Sequence, residues 1–504
     1  MKNLRAVGSF GGIDADTDAL LDDCFQDHEA YAAAIKHERP LVLGRKGSGK
    51  TAIYRRIVGI HSHNAFALGH TFLEYPWHHH RLQELVGVPE ESRYIQSWQY
   101  LILLGLARLL INDDQSQPWS TFALEEIQTL EQFVTDSYGT KRPELGALFT
   151  PERRLRIEPH FRFGTELIGG GLNLERLPVS DLPKVVQEVN RRVRNAVLGC
   201  LNPDIDYYVC FDELDRGFSP SDSSYHHMLT GLLLAAKLMN DEAARVGKRL
   251  SVIVFLRDDI YQVLRFEDKN KITEARASVI EWDSPRTQWT LRQLMERRFS
   301  ALLGEGVAVN WSDVFDESKE MSGRQRKYKH ILDRTFRRPR DIIKMCNEVL
   351  LAYKADEHCD SELFLNGHVI AARRGYSEYL LRELVDEVQK HMPRHDKYFE
   401  ILRSVGSGAF TREQFDSVCS LRAALLGDGD TAESILRGFF DFSIIGYQKT
   451  GGAGGGSTFV WRYLEAGARF DETASTLRVH PGLVEALGLK KWEHRDDVDD
   501  TEGT

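Results

Sequence analysis

Apolar positions along the chain fall into two patterns: short unbroken runs, and longer stretches in which they recur every three or four residues. The runs Leu41-Val42-Leu43, Tyr207-Tyr208-Val209-Cys210-Phe211 and 250–256 have the length and composition of buried strands. Residues 52–58, 92–112, 181–201 and 225–245 carry helical spacing. In 92–112 it is sustained by Ile95, Trp98, Leu101, Ile102, Leu106 and Leu109, a face wide enough to be core. Residues 65–75 read as a short strand pair, and 280–282 as a strand followed by a helix through Leu291, Leu294, Arg297 and Arg298. Strands alternating with helices predict an α/β domain on a parallel sheet, with 225–245 as a right-handed crossover. An acidic amphipathic helix over 16–31, with Leu20, Leu21, Cys24 and Phe25 on one side, is expected to lie against it. Over 113–180 the periodicity weakens, which predicts an insertion.

The last third is helical to about residue 390, and three short helices follow at 397–405, 411–418 and 432–440. Two strands, 442–447 and 459–464, then flank a glycine run at 451–456 that reads as a flexible hairpin tip. Three helices and a two-stranded wing predict a winged-helix domain. The expected organisation is an α/β domain over 1–322 (113–180 the insertion), a helical region over 323–392, a winged helix over 393–489 and a disordered acidic tail over 490–504.

The first strand runs into Gly44-Arg45-Lys46-Gly47-Ser48-Gly49-Lys50-Thr51, which meets G-x-x-x-x-G-K-[ST] between a strand and a helix. This is the pattern of a phosphate-binding loop. Gly44, Gly47 and Gly49 allow backbone angles that turn successive N–H groups onto an anion. The helix start adds its positive dipole end, Lys50 reaches the outer phosphates and Thr51 offers a hydroxyl to Mg²⁺. Gly44, Gly47, Ser48, Gly49, Lys50, Thr51 and Ala52 are the expected ATP contacts. The second strand ends in Asp212-Glu213, and carboxyl ends of parallel strands are where ligands sit. Asp212 is expected to hold Mg²⁺ with Thr51, and Glu213 to orient and deprotonate the attacking water. The third strand ends in Arg257-Asp258-Asp259, where Arg257 either senses the γ-phosphate or pairs locally with an aspartate.

Composition narrows the field. A chain of 504 residues exceeds one core, so two or three domains are expected. No apolar run looks long enough to span a bilayer, and Met1-Lys2-Asn3-Leu4-Arg5-Ala6 lacks a signal-peptide core, so a cytoplasmic protein without membrane attachment is expected. The six cysteines are scattered without a C-x-x-C pair, which argues against zinc and disulfides. His78-His79-His80 point in different directions on any regular element and read as a turn, not a metal site. At a net charge of −10, nucleic-acid binding needs a local basic face. Two stretches offer one: the arginines Arg153, Arg154, Arg156 and Arg162, and the run 324–344, for both of which a solvated surface is the default. Within the second, Pro339 begins a helix, Asp341 favours its dipole and Arg340 is placed to reach a bound nucleotide.

Taken together, Gly-Arg-Lys-Gly-Ser-Gly-Lys-Thr at 44–51, Asp-Glu-Leu-Asp at 212–215, Arg-Asp-Asp-Ile-Tyr at 257–261, Arg-Arg-Pro-Arg-Asp at 337–341 and Tyr-Ser-x-Tyr-Leu-Leu at 376–381 give the chain a likeness. It resembles the additional-strand P-loop ATPases related to AAA+ initiators and to STAND ATPases, and most nearly a group of bacterial stand-alone ATPases of antiphage-defence and mobile-element loci. The resemblance implies an ATPase with a helical lid and winged helix, and sensor roles for Arg257 and Arg340. It also implies a homo-oligomer in the nucleotide-bound state and a separate effector protein as partner. The rival expectation is a DNA-handling ATPase that grips duplex DNA through 324–344 and the wing; a third is a nucleotide-locked scaffold, against which Asp212 and Glu213 weigh.

Overall fold

A computed structural model of the chain describes residues 3–71, 90–143, 182–216, 222–449, 458–465 and 467–490. It divides into two compact units, Asp27–Ile280 and Met1–Gln26 with Glu281–Thr504. The three histidines at 78–80, the arginines at 153–162, the glycine runs at 169–171 and 451–456 and the tail beyond 490 lie outside the described residues.

The first unit is α/β. Its five strands, β1 (Leu41–Gly44), β2 (Ala65–His70), β3 (Asp206–Phe211), β4 (Leu250–Arg257) and β5 (Ala277–Val279), form a parallel sheet in the order β2-β3-β4-β1-β5. β1 and most of β3 and β4 are buried, as their apolar runs require. The register sets Gly44 beside Arg257 and His70 beside Phe211, so the carboxyl ends of β1, β2, β3 and β4 align at one edge. Helices α1 (Glu29–Ile35) and α2 (Lys50–Val58) precede and follow β1. Then come α3 (Glu90–Asn112), α4 (Thr121–Tyr138), α5 (Leu182–Cys200), α6 (Ser223–Arg245), α7 (Asp258–Val263) and α8 (Lys269–Arg276). The strand expected at 280–282 lies three residues earlier, as β5.

Helix α3 is the spine of this core. It packs against α4, α5 and α6, and the Trp98 indole donates to the Met228 carbonyl at 2.9 Å. A Cβ at Gly231 of α6 would lie 3.1 Å from the Tyr94 carbonyl carbon, so glycine sets how closely the two helices cross. Over Tyr94–Asn112 this helix is long and apolar enough to cross a membrane, contrary to the sequence expectation, yet 78% of that stretch is buried inside the protein. Nor is 113–180 wholly an insertion. Its described part includes α4, whose Leu130, Phe133, Val134 and Tyr138 join the core, with a hydrogen bond between the Tyr138 and Tyr100 hydroxyls.

Residues 16–31 do not form one helix; turns occupy 13–24 and only α1 is helical. The cause is Asp18, whose carboxylate accepts the backbone N–H groups of Gly12 (3.0 Å) and Leu20 (3.2 Å) and so competes with helical bonding. The same carboxylate is forked by the buried Arg298 at 2.5 and 3.3 Å, and burial of the pair is offset by these bonds. Phe10 meets Phe299 edge-on at 5.0 Å. These contacts place the N-terminal segment and α9 (Leu291–Leu303) in the second unit, so the first unit ends at Ile280 and not at 322.

α10 (Lys327–Asp333), α11 (Pro339–Ala355) and α12 (Asn366–Val388) follow. The remainder comprises α13 (His395–Val405), β6 (Ala409–Thr411), α14 (Arg412–Leu421), α15 (Ala432–Asp441), β7 (Ile445–Lys449), β8 (Thr458–Val460) and β9 (Thr476–Val479). Its sheet is antiparallel in the order β6-β9-β7-β8, so two strands exist that the pattern did not predict. Thr411 and Thr431 cap α14 and α15 with capping boxes, which fixes where those helices begin.

Candidate functional site

The glycine-rich turn between β1 and α2 has the geometry its sequence demands. Gly47 and Gly49 take left-handed backbone angles, φ 78° and 109°, and Gly49 caps α2 without a side chain. Gly44 is required for another reason: a Cβ there would strike the Ser48 hydroxyl. Within the turn the Ser48 N–H donates to the Arg45 carbonyl at 3.1 Å, and the start of α2 is a helix terminus of the kind that favours an anion. The Lys50 ammonium folds back onto the carbonyls of Gly44 (2.9 Å) and Arg45 (3.0 Å). Burial lowers its pKa, which the nearby Asp212 and Asp215 partly oppose.

Across the sheet edge, Asp212 follows β3 and is 3% exposed. Burial pushes its carboxyl up to about 6, against the pull of a backbone amide, of Lys50 and of a hydrogen bond from Thr51. The acidic strand end and the glycine-rich turn, far apart in sequence, are therefore close enough for Asp212 and Lys50 to act on each other's charge. Glu213 adopts φ 60°, an uncommon angle for this residue type, and its carboxylate takes Arg216 at 2.5 Å.

Arg257 ends β4 and caps α7. Its guanidinium forks onto Asp259 at 3.0 and 2.6 Å and reaches Asp215 at 3.4 Å, so the local pairing is the arrangement found here. Although burial opposes it, Arg257 holds the Asp259 carboxyl below its ordinary range, while burial raises that of Asp258. The edge thus gathers Asp212, Glu213, Asp215, Asp258 and Asp259 around Lys50 and Arg257. His70 was missed. It ends β2, is buried, stacks on Phe211 at 5.0 Å and takes the Asp212 N–H on its carbonyl at 3.1 Å; no local pattern singles out a lone histidine there.

Arg340 belongs to the second unit, where it binds Glu383 (2.8 Å) and the Ile13 carbonyl (3.0 Å). The basic run around it departs most from expectation: much of it is interior, not a solvated face. Lys327 donates to the carbonyls of Asp316 and Lys319. Arg334 forks onto Glu485, and Arg338 bridges Asp341 and Glu387 with all three side chains buried. Asp341 therefore acts less through the helix dipole than as a buried partner; it also accepts the Phe336 N–H at 3.0 Å.

Asp356, Cys359 and His368 bring ligand-type atoms within 4.8 Å of one another. They do not suit a metal. The Leu365 N–H donates to His368 Nδ1 at 2.9 Å, which places the ring proton on Nε2, facing Asp356 at 3.3 Å. The donors that fit Mg²⁺ are Thr51 and Asp212, an oxygen pair of the kind magnesium takes alongside phosphate.

Residues 290–385 match the family described as the FunZ-associated C-terminal helical domain. Over 430 residues the chain is 21% identical to the "Putative transposon gamma-delta 80.3 kDa protein" of Escherichia coli (strain K12), a match covering 79% of this chain and 54% of that protein. The chain spans about half the length of this curated relative.

Proposed function

We propose that the protein binds and hydrolyses ATP and uses its nucleotide state to control assembly or an effector partner, through a P-loop NTPase domain followed by a helical lid and a winged helix. The observation that carries this reading is the glycine-rich turn between β1 and α2, with Gly47 and Gly49 in left-handed angles and Lys50 folded onto the carbonyls of Gly44 and Arg45, beside the buried Asp212. In it, the amides from Gly44 to Ala52 cradle the phosphates and Lys50 exchanges its two carbonyl partners for the outer phosphate oxygens. Mg²⁺, held by Thr51 and Asp212, supplies charge neutralisation on the phosphates. Glu213 orients the attacking water and takes its proton, and Arg257 exchanges Asp259 for the γ-phosphate. Arg340 is the second sensor that the family resemblance assigns, and it would have to leave Glu383. An arginine supplied by a neighbouring subunit is worth about 10³ to 10⁵ in rate, so an isolated subunit should turn over slowly.

The relative's name supports a mobile-element setting and favours a second reading, a DNA-handling ATPase. The internal basic run weakens it. So does α15, whose one cation, Arg437, is tied to Glu433 and Glu472. Measuring ATP turnover and nucleotide affinity for wild type and Glu213→Gln, with and without duplex DNA, tests both. Glu213→Gln should lose about 10² to 10⁴ in turnover while binding ATP as before. Wild-type turnover in that variant would sink the proposal, and stimulation by DNA would favour the second reading.

A further inference from the structure

A cavity of about 440 Å³ opens in the second unit between α10 and the antiparallel sheet. Its volume suits one small ligand. Lys329, Arg334, Arg337 and Arg478 line it, together with the aromatic Phe459, Trp461 and Tyr463. Directly behind lies a fifth cation, Arg373, whose guanidinium donates to His330 Nε2 at 2.8 Å. Arg334 donates to the same nitrogen at 3.4 Å, so His330 presents a lone pair there and is neutral, with its proton on Nδ1 toward Gln325.

Four of these cations, Lys329, Arg334, Arg337 and Arg373, share two carboxylates among the described residues of this wall. Glu485 takes Arg334 in a fork, and Asp333 takes Lys329. Arg337 is held by the Asp283 carbonyl at 2.7 Å, and Arg478 lies over the Phe459 ring at 5.7 Å. Burial is the main cost that these cations bear. Burial pushes Arg334 down to about 10, with Arg373 and Arg478 adding to the effect despite Glu485. Arg373 and Arg478 are lowered by burial too. The aromatic side is rigid, since the Trp461 ring packs on Gly446, where a Cβ would come within 2.7 Å of it. A surplus of guanidinium beside aromatic side chains matches a ligand that carries both an anionic group and a flat ring.

We propose that this cavity binds a nucleoside phosphate, its phosphate against Arg334, Arg337 and Arg478 and its base against the Trp461 and Tyr463 side. The site uses no residue of the glycine-rich turn. It therefore gives the protein a second ligand input, independent of ATP turnover.

The test is calorimetric titration of the full chain carrying Lys50→Ala, which removes nucleotide binding at the turn, with AMP, GMP, UMP and inorganic phosphate at low ionic strength. One-to-one saturable binding of at least one mononucleotide, tighter than phosphate, is expected. Arg478→Gln should weaken it about tenfold or more, the loss of one charge-assisted contact. Arg337→Gln reads the same loss should the first variant fail to fold. Absence of saturable binding by any of the four, or binding that neither substitution changes, overturns the assignment. So does tighter binding of a single-stranded oligonucleotide than of its mononucleotide, which would make the cavity part of a nucleic-acid groove.

Discussion

Arg257 and Arg338 occupy the same local position, the residue capping the start of a helix, each with an aspartate two or three residues on. Their surroundings differ. Arg338 is 3% exposed and faces Asp341 and Glu387 at 0% and 7%, a closed set in which one guanidinium serves two buried carboxylates. Arg257 is 15% exposed and its partners Asp215 and Asp259 are 35% and 37% exposed, at a sheet edge that also holds Lys50 and Asp212. A closed pair cannot change partners without exposing an uncompensated buried charge. An open one can trade a carboxylate for a phosphate at little cost. The pair that fixes the fold and the pair that can respond to a ligand are thus told apart by burial, not by sequence.

The largest effect expected from this contrast is on Arg338. Arg338→Ala should remove about 3 to 5 kcal/mol of stability, because Asp341 and Glu387 stay buried without their partner. Chemical denaturation reads it directly. A loss below about 1 kcal/mol would mean that the triad is hydrated and the contrast with Arg257 is not one of burial.

Next is Asp212. Its carboxyl is raised from an ordinary 3.8 to about 6, so between those values the folded state holds more protons than the unfolded one. Stability should therefore fall as pH rises through that window, by up to about 3 kcal/mol, and the cost is fully present above pH 6. Asp212→Asn should accordingly stabilise the nucleotide-free protein at pH 7.5, and the gain should vanish near pH 4. Mg²⁺ with ATP should raise the melting temperature of wild type but not of the variant. An Asn variant less stable at pH 7.5 would show that Lys50 and Thr51 already compensate the carboxylate.

These two residues also mark what the sequence could and could not reveal. The strand, glycine-rich turn and helix around Lys50 are encoded within a dozen residues, and the apolar run before Asp212 is equally local, so both were legible. Arg338 was not. One of its carboxylates lies 49 residues away, and the partner of Arg334 lies 151 away, so a run of cations looked like a solvated face. Asp18 misled in the opposite direction, since its hydrogen bonds to nearby amides replaced a helix that the apolar spacing favoured. Helix α4 was readable, as Ile127, Leu130, Phe133 and Val134 keep helical spacing. Strands of three or four residues such as β6 and β9 are too short for alternation to declare them.

The smallest expected change in stability, and the most informative, is in Arg257→Ala. Its ion pairs are partly solvated, so their loss should cost about 1 kcal/mol or less. Asp259 would lose the charge that holds its carboxyl low and would sit beside Asp258 with less compensation, which bounds the effect from the other side. If Arg257 meets the γ-phosphate only as charge develops in the transition state, turnover should fall about tenfold or more with ATP affinity nearly unchanged. The combination separates the two arginines: stability moves for Arg338 and turnover for Arg257. Equal losses of stability, with turnover per folded molecule unchanged, would make Arg257 a second structural pair and leave the sheet edge without a sensor at that position.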